Sequence, residues 1–136
     1  MFSNRREKRA EWGDCDPAGI VFNPRFFEWF DAASAALFEK ALGITKKKML
    51  ETYNAAGIPL VKTEGRFMKP VHYGDDIVIE STIKFGRSSF QVEHRIMHGN
   101  DVCAEGSETR VWTVRDSNGD IKSSPIPEKI VAAFAD

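Results

Sequence analysis

The sequence predicts an α+β fold in which a curved antiparallel sheet of about five strands wraps around one long helix. Two patterns carry this. Over residues 24–42 the apolar side chains recur at spacings of three and four, whereas from Ile58 onward they alternate with a period of two. A long apolar helix must be covered, and a single sheet covers it only by curving around it.

The helix is justified from end to end. Phe26, Phe30, Ala33, Leu37 and Ala41 form a stripe that Phe27, Trp29, Ala36 and Phe38 widen, so most of its surface is buried. Asn23 suits the cap, Pro24 the first turn and Gly43 the stop. A shorter helix is expected over residues 45–54, with Met49, Leu50 and Tyr53 on one side; Lys46, Lys47 and Lys48 near its start read as a solvated face.

The strands follow. Residues 5–12 precede the long helix and residues 60–68 come after the short one. Ile77, Ile79, Ser81, Ile83 and Phe85 then share one face, opposite Asp76, Val78, Glu80, Thr82 and Lys84. Gly86-Arg87-Ser88 turns into Phe90, Val92, His94 and Ile96, and Gly99-Asn100-Asp101 turns into a last strand over residues 102–114. These three strands form a meander. Ser117-Asn118-Gly119-Asp120 is a further turn, and residues 127–134 read as a terminal helix. With no repeat, linker or low-complexity tract, residues 1–136 are expected to form one domain.

Composition excludes several classes of function. Lys and Arg number 19 against 20 Asp and Glu, a net charge of −1, so no global field draws the chain to nucleic acid or an anionic membrane. No apolar run approaches the ~18 residues that span a bilayer, and the first residues lack the apolar core of a signal peptide, so a cytoplasmic location is expected. Cys15 and Cys103 make neither a disulfide framework nor a metal cluster. His94 and His98 have the i, i+4 spacing of a helical zinc site, but on a strand four residues span about 13 Å, too far for one ion. His94 shares a face with Phe90, Val92 and Ile96 and reads as an interior histidine. No metal and no cofactor are expected.

Chemistry concentrates in residues 12–23, W-G-D-C-D-P-A-G-I-V-F-N, which place two carboxylates, a thiol, two turn-formers and a helix start together. A carboxylate in a turn beside a helix N-terminus lies near unpaired N–H donors and the positive end of a dipole. Asp before Pro, with Gly two residues later, is equally the composition of an ordinary turn. Asp14 reads as a loop holder that accepts backbone N–H bonds. Cys15 alternates with both carboxylates, which points it into the core.

The order strand, D-C-D-P-A-G-I-V, long helix with W-F-D-A-A-S, then K-P-V-H-Y-G-D-D and G-R-S-S-F in a meander, resembles the hotdog-fold acyl-CoA thioesterases, specifically the 4-hydroxybenzoyl-CoA thioesterase family. The resemblance covers most of the chain. It implies a hotdog fold and hydrolysis of an aryl, 4-hydroxybenzoyl-like CoA thioester. In that comparison Asp16 aligns with the catalytic carboxylate, acting as nucleophile through a mixed anhydride or as general base on water. Asn23 is the implied backbone oxyanion donor, since Pro24 has no N–H. The acyl pocket draws on Gly19, Phe26, Trp29 and Asp31, although the aromatic residues serve core packing equally well; Asp31 interrupts the apolar stripe and, as a buried carboxylate, needs a partner such as a ring hydroxyl.

Arg87, Ser88 and Ser89 stand at the hairpin that meets the nucleotide end of coenzyme A, or else form a polar turn. The family's edge-to-edge sheet pairing implies a homo-oligomer, a dimer or tetramer, with acyl-CoA as the small-molecule partner. Asn23 departs from the pattern: the hydroxybenzoyl enzymes carry an aromatic residue there and the short-chain thioesterases of the Tol-Pal neighbourhood a histidine. A backbone role survives that change and a side-chain contact does not. The alternatives are a short-chain aliphatic acyl-CoA thioesterase and a non-catalytic acyl-CoA-binding hotdog protein. Hydration or dehydration of an acyl-CoA is disfavoured because the first motif contains no histidine.

Overall fold

The computed structural model describes residues 1–135. Strand β1 (Ser3–Arg9) leads through a 3-10 turn (Trp12–Asp14) into helix α1 (Asn23–Leu42) and helix α2 (Lys46–Thr52). Strands β2 (Leu60–Phe67), β3 (Asp76–Phe85), β4 (Ser89–His98) and β5 (Asp101–Val111) follow. A short hairpin of β6 (Thr113–Arg115) and β7 (Ile121–Ser123) and helix α3 (Glu128–Ala133) complete the order.

The main sheet runs β1-β3-β4-β5-β2 and is antiparallel throughout. The meander is therefore its centre, and the strands on either side of α1 in sequence, β1 and β2, close its two edges. In-register alternation sets the inner face: Ile79 lies opposite Ile96, and Ile96 opposite Ala104. Ile77, Ile79, Val92 and Ile96 are buried with Phe30, Ala33 and Leu37 of α1. Phe30 lies flat on the sheet, its ring 5.0 Å from that of His94 and inclined by 8°. This close approach requires Gly106, where a Cβ would sit 2.3 Å from the Phe30 ring.

Several boundaries differ from expectation for physical reasons. The first strand ends at Arg9, and Trp12 enters the 3-10 turn that precedes Asp16. The last long strand stops at Val111, because Trp112 is buried and gives its N–H to Ser88 O at 2.8 Å, which takes the chain out of the main sheet into β6. The helix over residues 45–54 is Lys46–Thr52 with Thr45 as its cap, the Thr45 side chain accepting from Lys48 N–H. At the far edge, all of β2 is exposed, including Leu60, Val61 and Phe67. No helix among the described residues is long and apolar enough to cross a membrane.

Candidate active site

The D-P-A-G turn is a narrow hairpin built almost wholly from backbone. Cys15 bridges Val21, Asp16 N–H donates to Ile20 O at 2.9 Å, and Gly19 N–H donates to Asp16 O at 2.9 Å. Gly19 has a φ of 80°, the left-handed conformation that favours glycine. A second segment clamps the turn: Val21 N–H donates to Val71 O at 2.8 Å and Tyr73 N–H to Gly19 O at 2.9 Å. Gly19 thus shapes the turn.

Within this frame Asp16 is half-buried, and its Oδ1 accepts the Ala18 N–H at 2.9 Å. Oδ2 accepts no hydrogen bond among the described residues. The turn-forming and chemical readings of Asp16 are therefore compatible, since each uses a different oxygen. Asp14 holds the loop as expected: its Oδ2 accepts Glu11 N–H at 2.9 Å, and its Oδ1 lies 3.3 Å from Arg25 Nε. Arg25 also donates to Gly13 O at 3.0 Å, tying the first turn of α1 to the loop. Cys15 packs against the core, and its partial burial together with the charges of Asp14, Asp16 and Asp75 pushes the thiol pKa up. A raised thiol is a poor nucleophile at neutral pH.

The helix start corrects the expected cap. Phe22, not Asn23, is the N-cap: its carbonyl accepts the Arg25 N–H at 2.8 Å, and its own N–H is spent on Asp14 O at 2.9 Å. Phenylalanine has no side-chain acceptor, so nothing caps α1 from within. Pro24 carries no N–H, which leaves the Asn23 N–H as the donor with no partner at this end of the helix among the described residues. Asn23 lines a cleft of about 200 Å³ with Ile20, Val21, Phe26, Phe67 and Met68. Phe67 and Met68, at the end of the exposed β2 edge, are themselves exposed.

The remaining candidates are distributed differently. Phe26 faces both the core and the cleft, whereas Trp29 is 6% exposed and packed in the core with Ala10 and Val21. Asp31 was expected to be buried, but its side chain is 62% exposed and its partner is Arg110, whose Nη2 donates to Oδ1 at 2.6 Å. A helix that is apolar on its core side still has a flank, and Asp31 sits there. Arg87 is exposed, and the hairpin of Arg87, Ser88 and Ser89 joins the far end of β3 from Asp76, roughly 30 Å along the strand. The structure therefore does not bring that hairpin to Asp16 within one chain. A larger depression of about 750 Å³ lies on the outer face of the sheet over β4, β5 and β2, also away from the turn. Among the described residues no group of His, Cys, Asp and Glu could hold a metal ion.

Sequence reasoning missed Glu108 and Arg110. Both are buried on β5, with Arg110 Nε donating to Glu108 Oε1 at 3.0 Å and Arg110 Nη1 to Ile58 O at 3.0 Å. Burial on its own raises the Glu108 pKa, but the His94 imidazole, the Arg110 guanidinium and the Ser34 hydroxyl together outweigh it and hold the carboxyl at about 2. Burial lowers the Arg110 pKa, and Glu108 and Asp31 overcome that and raise it. Their shared parity with Gly106 on β5 was the available signal, legible only once the inner face of that strand is known.

A five-stranded antiparallel sheet wrapped around one long helix is a hotdog fold, and comparison with known proteins gives the family. A sequence profile of the thioesterase-like superfamily matches residues 10–134, and the chain belongs to that superfamily and is a thioester hydrolase. It is 34% identical over 116 residues to the 4-hydroxybenzoyl-CoA thioesterase of Pseudomonas sp. strain CBS-3, covering 81% of this chain and 82% of that one. It is 27% identical over 129 residues to a 1,4-dihydroxy-2-naphthoyl-CoA hydrolase of Synechococcus elongatus, covering 91% and 89% of the two chains. The solved structure of the Pseudomonas enzyme superposes with a TM-score of 0.86 at 29% identity, over 98% of this chain and 99% of that one. A mutant 4-hydroxybenzoyl-CoA thioesterase complexed with 4-hydroxybenzoyl-CoA gives 0.90 at 26% identity, over 99% and 100%.

Proposed function

We propose that this chain hydrolyses an aryl, 4-hydroxybenzoyl-like CoA thioester to the free acid and coenzyme A. The observation that carries the reading is that, among the described residues, one Asp16 oxygen and the Asn23 N–H at the start of α1 both lack a hydrogen-bond partner. In the favoured route Asp16 Oδ2 attacks the thioester carbonyl carbon. The developing oxyanion takes the Asn23 N–H, and collapse breaks the C–S bond, expelling the coenzyme A thiolate and leaving a mixed anhydride. Water then adds to the Asp16 carbonyl carbon of the anhydride, the bond from that carbon to the bridging oxygen breaks, the aryl acid leaves with the bridging oxygen, and the Asp16 carboxylate is regenerated. In the general-base variant Asp16 instead takes a proton from the attacking water. Single turnover in ¹⁸O-water separates the two, since an anhydride opened at the Asp16 carbonyl leaves label on Asp16.

Substrate class is supported by the helix surface. Asn23, Phe27 and Asp31 follow one another at steps of four along one ridge of α1, spanning about 12 Å from oxyanion donor to carboxylate. One hydroxylated aromatic ring with a hydrogen bond at each end fits that span, with Asp31 accepting from the ring hydroxyl, Phe26 walling the cleft and Gly19 shaping the turn beside it. The Pseudomonas and Synechococcus relatives both carry aryl substrates in their names. Trp29 enters this reading only as support for Phe26, whose ring it meets edge-on at 5.4 Å.

We further propose that residues 1–136 act as one hotdog domain in a cytoplasmic homo-oligomer, a dimer or tetramer, joined through β2. A wholly exposed edge strand carrying Leu60, Val61 and Phe67 is the liability that such pairing removes. The oligomer also gives Arg87, Ser88 and Ser89 a role, as phosphate contacts supplied to another copy's substrate. The test is free-thiol release from aryl, arylacetyl and straight-chain acyl-CoAs by the wild type and Asp16→Asn. Turnover selective for aryl thioesters that collapses in the variant supports the reading. Equal turnover of straight-chain thioesters overturns the substrate class, and acyl-CoA binding without turnover overturns the reaction.

A further inference from the structure

A continuous chain of polar side chains runs beneath α1, and none of it belongs to the Asp16 turn. Ser81 Oγ on β3 lies 2.7 Å from His94 Nδ1 on β4, and His94 Nε2 lies 3.2 Å from Ser34 Oγ on α1. Ser34 donates to Glu108 Oε1 on β5, which also accepts from Arg110 Nε, and Arg110 Nη2 reaches Asp31. The directions follow from counting protons. Ser34 has one hydroxyl proton and gives it to Glu108, so Nε2–H of His94 donates to Ser34, and in the neutral imidazole Nδ1 then accepts from Ser81. Every link then has one donor and one acceptor.

The two ends of this chain differ in exposure. The Glu108 and Arg110 side chains are 3% and 7% exposed, against 62% for Asp31. Arg110 has no freedom to swing, because Glu108, the Ile58 carbonyl and Asp31 each take a different guanidinium nitrogen. Asp31 in turn commits Oδ1 and leaves Oδ2 without a partner among the described residues. Glu108 counters the charge of Arg110, so Asp31 is oriented by a guanidinium whose field is already partly cancelled and remains a strong acceptor. Stability alone does not account for the arrangement, since apolar residues of similar volume often replace a buried ion pair without loss.

We propose that Arg110, braced by Glu108, is a positioning residue for acyl specificity: it fixes Asp31 so that Oδ2 meets the hydroxyl of the substrate's aromatic ring. The inference rests on the proposed aryl-CoA function and deepens it. A loose Asp31 on an exposed flank would spread its carboxylate over several rotamers, and the hydroxyl contact would be formed at the expense of that freedom.

The test compares kcat/KM for 4-hydroxybenzoyl-CoA and benzoyl-CoA in the wild type, Asp31→Asn, Arg110→Lys and the paired variant Arg110→Met/Glu108→Gln, which removes both buried charges together. The expected result is a preference for the hydroxylated thioester that drops at least about tenfold in Asp31→Asn and in the paired variant. Arg110→Lys, keeping the charge but not the fork, falls between. Adding Asp31→Asn to the paired variant produces no further drop. Equal losses on both substrates in the Arg110 variants make Arg110 merely structural and overturn the proposal. If the paired variant does not fold, the wild type decides by NMR: the Arg110 Nε–H resonance moves with 4-hydroxybenzoate and not with benzoate, and a resonance indifferent to the hydroxyl overturns the inference. A wild type with no preference, together with a neutral Asp31→Asn, defeats the aryl-hydroxyl reading itself; a preference lost in Asp31→Asn but kept in the Arg110 variants defeats only this proposal.

Discussion

The D-P-A-G turn and the polar chain under α1 are built by opposite means. The turn is closed by backbone hydrogen bonds, most of them within ten positions, such as Asp16 to Ile20 and Phe22 to Asp14, with Val71 and Tyr73 clamping it, and among the described residues it leaves one Asp16 oxygen and the Asn23 N–H unspent. The polar chain joins side chains 60, 74 and 79 residues apart and spends its donors and acceptors until it reaches Asp31 at the surface. Backbone geometry presents polar groups by leaving them unsatisfied, whereas buried side chains orient a group by satisfying everything behind it.

Asp16→Asn separates the two regions most clearly. The amide oxygen still accepts the Ala18 N–H, so the turn and the thermal midpoint are expected to hold while kcat/KM falls on the order of 10³-fold or more. Thiol release and a melting curve on the same sample check both halves. A matching loss of stability would return Asp16 to a purely structural role.

Glu108→Gln strikes the other region and is read in stability. The Glu108 carboxyl is held at about 2 against an ordinary 4.5, so its contribution is complete above pH 4.5 and drains as pH falls from there toward 2. The shift corresponds to on the order of 3 kcal/mol. Urea unfolding as a function of pH is expected to show the variant losing less stability than the wild type across that window. Equal acid slopes in the two proteins would remove Glu108 from the account.

Smaller effects separate two glycines. Gly106→Ala forces a Cβ to 2.3 Å from the Phe30 ring, which His94 backs by stacking, so a loss of about 1–3 kcal/mol is expected in urea unfolding. Gly19→Ala meets no atom within 4 Å but must hold a φ of 80°, costing about 1–2 kcal/mol. Its loss is expected to fall on kcat as well, because the strained bond lies in the Asp16 turn. Reversal of the two stability losses would show that the turn, rather than the sheet, limits folding.

Legibility followed the same division. The long helix, the meander and the Asp16 turn were all readable, because periodicity and turn chemistry act over a few residues. The cap was misplaced by one residue, since Asn23 has the right side chain for the position but the first accepting carbonyl belongs to Phe22. Trp29 was divided between pocket and core until packing against Ala10 and Val21 placed it in the core. The burial expected of Asp31 followed from its place in an apolar run, which does not reveal where the sheet ends.

The sequence alone set the long helix, the meander, the order of these main elements, the Asp16 turn and the N–H that Pro24 removes from the helix start, since each depends on neighbours along the chain; the short β6–β7 hairpin was not among them. Only the tertiary structure decided that Arg110 meets Asp31, that Glu108 lies buried among Ser34, His94 and Arg110, and that β2 is left as an open edge. Those outcomes depend on which strand pairs with which and on which face turns inward. Local propensity is nearly indifferent to both; burial and strand register decide them.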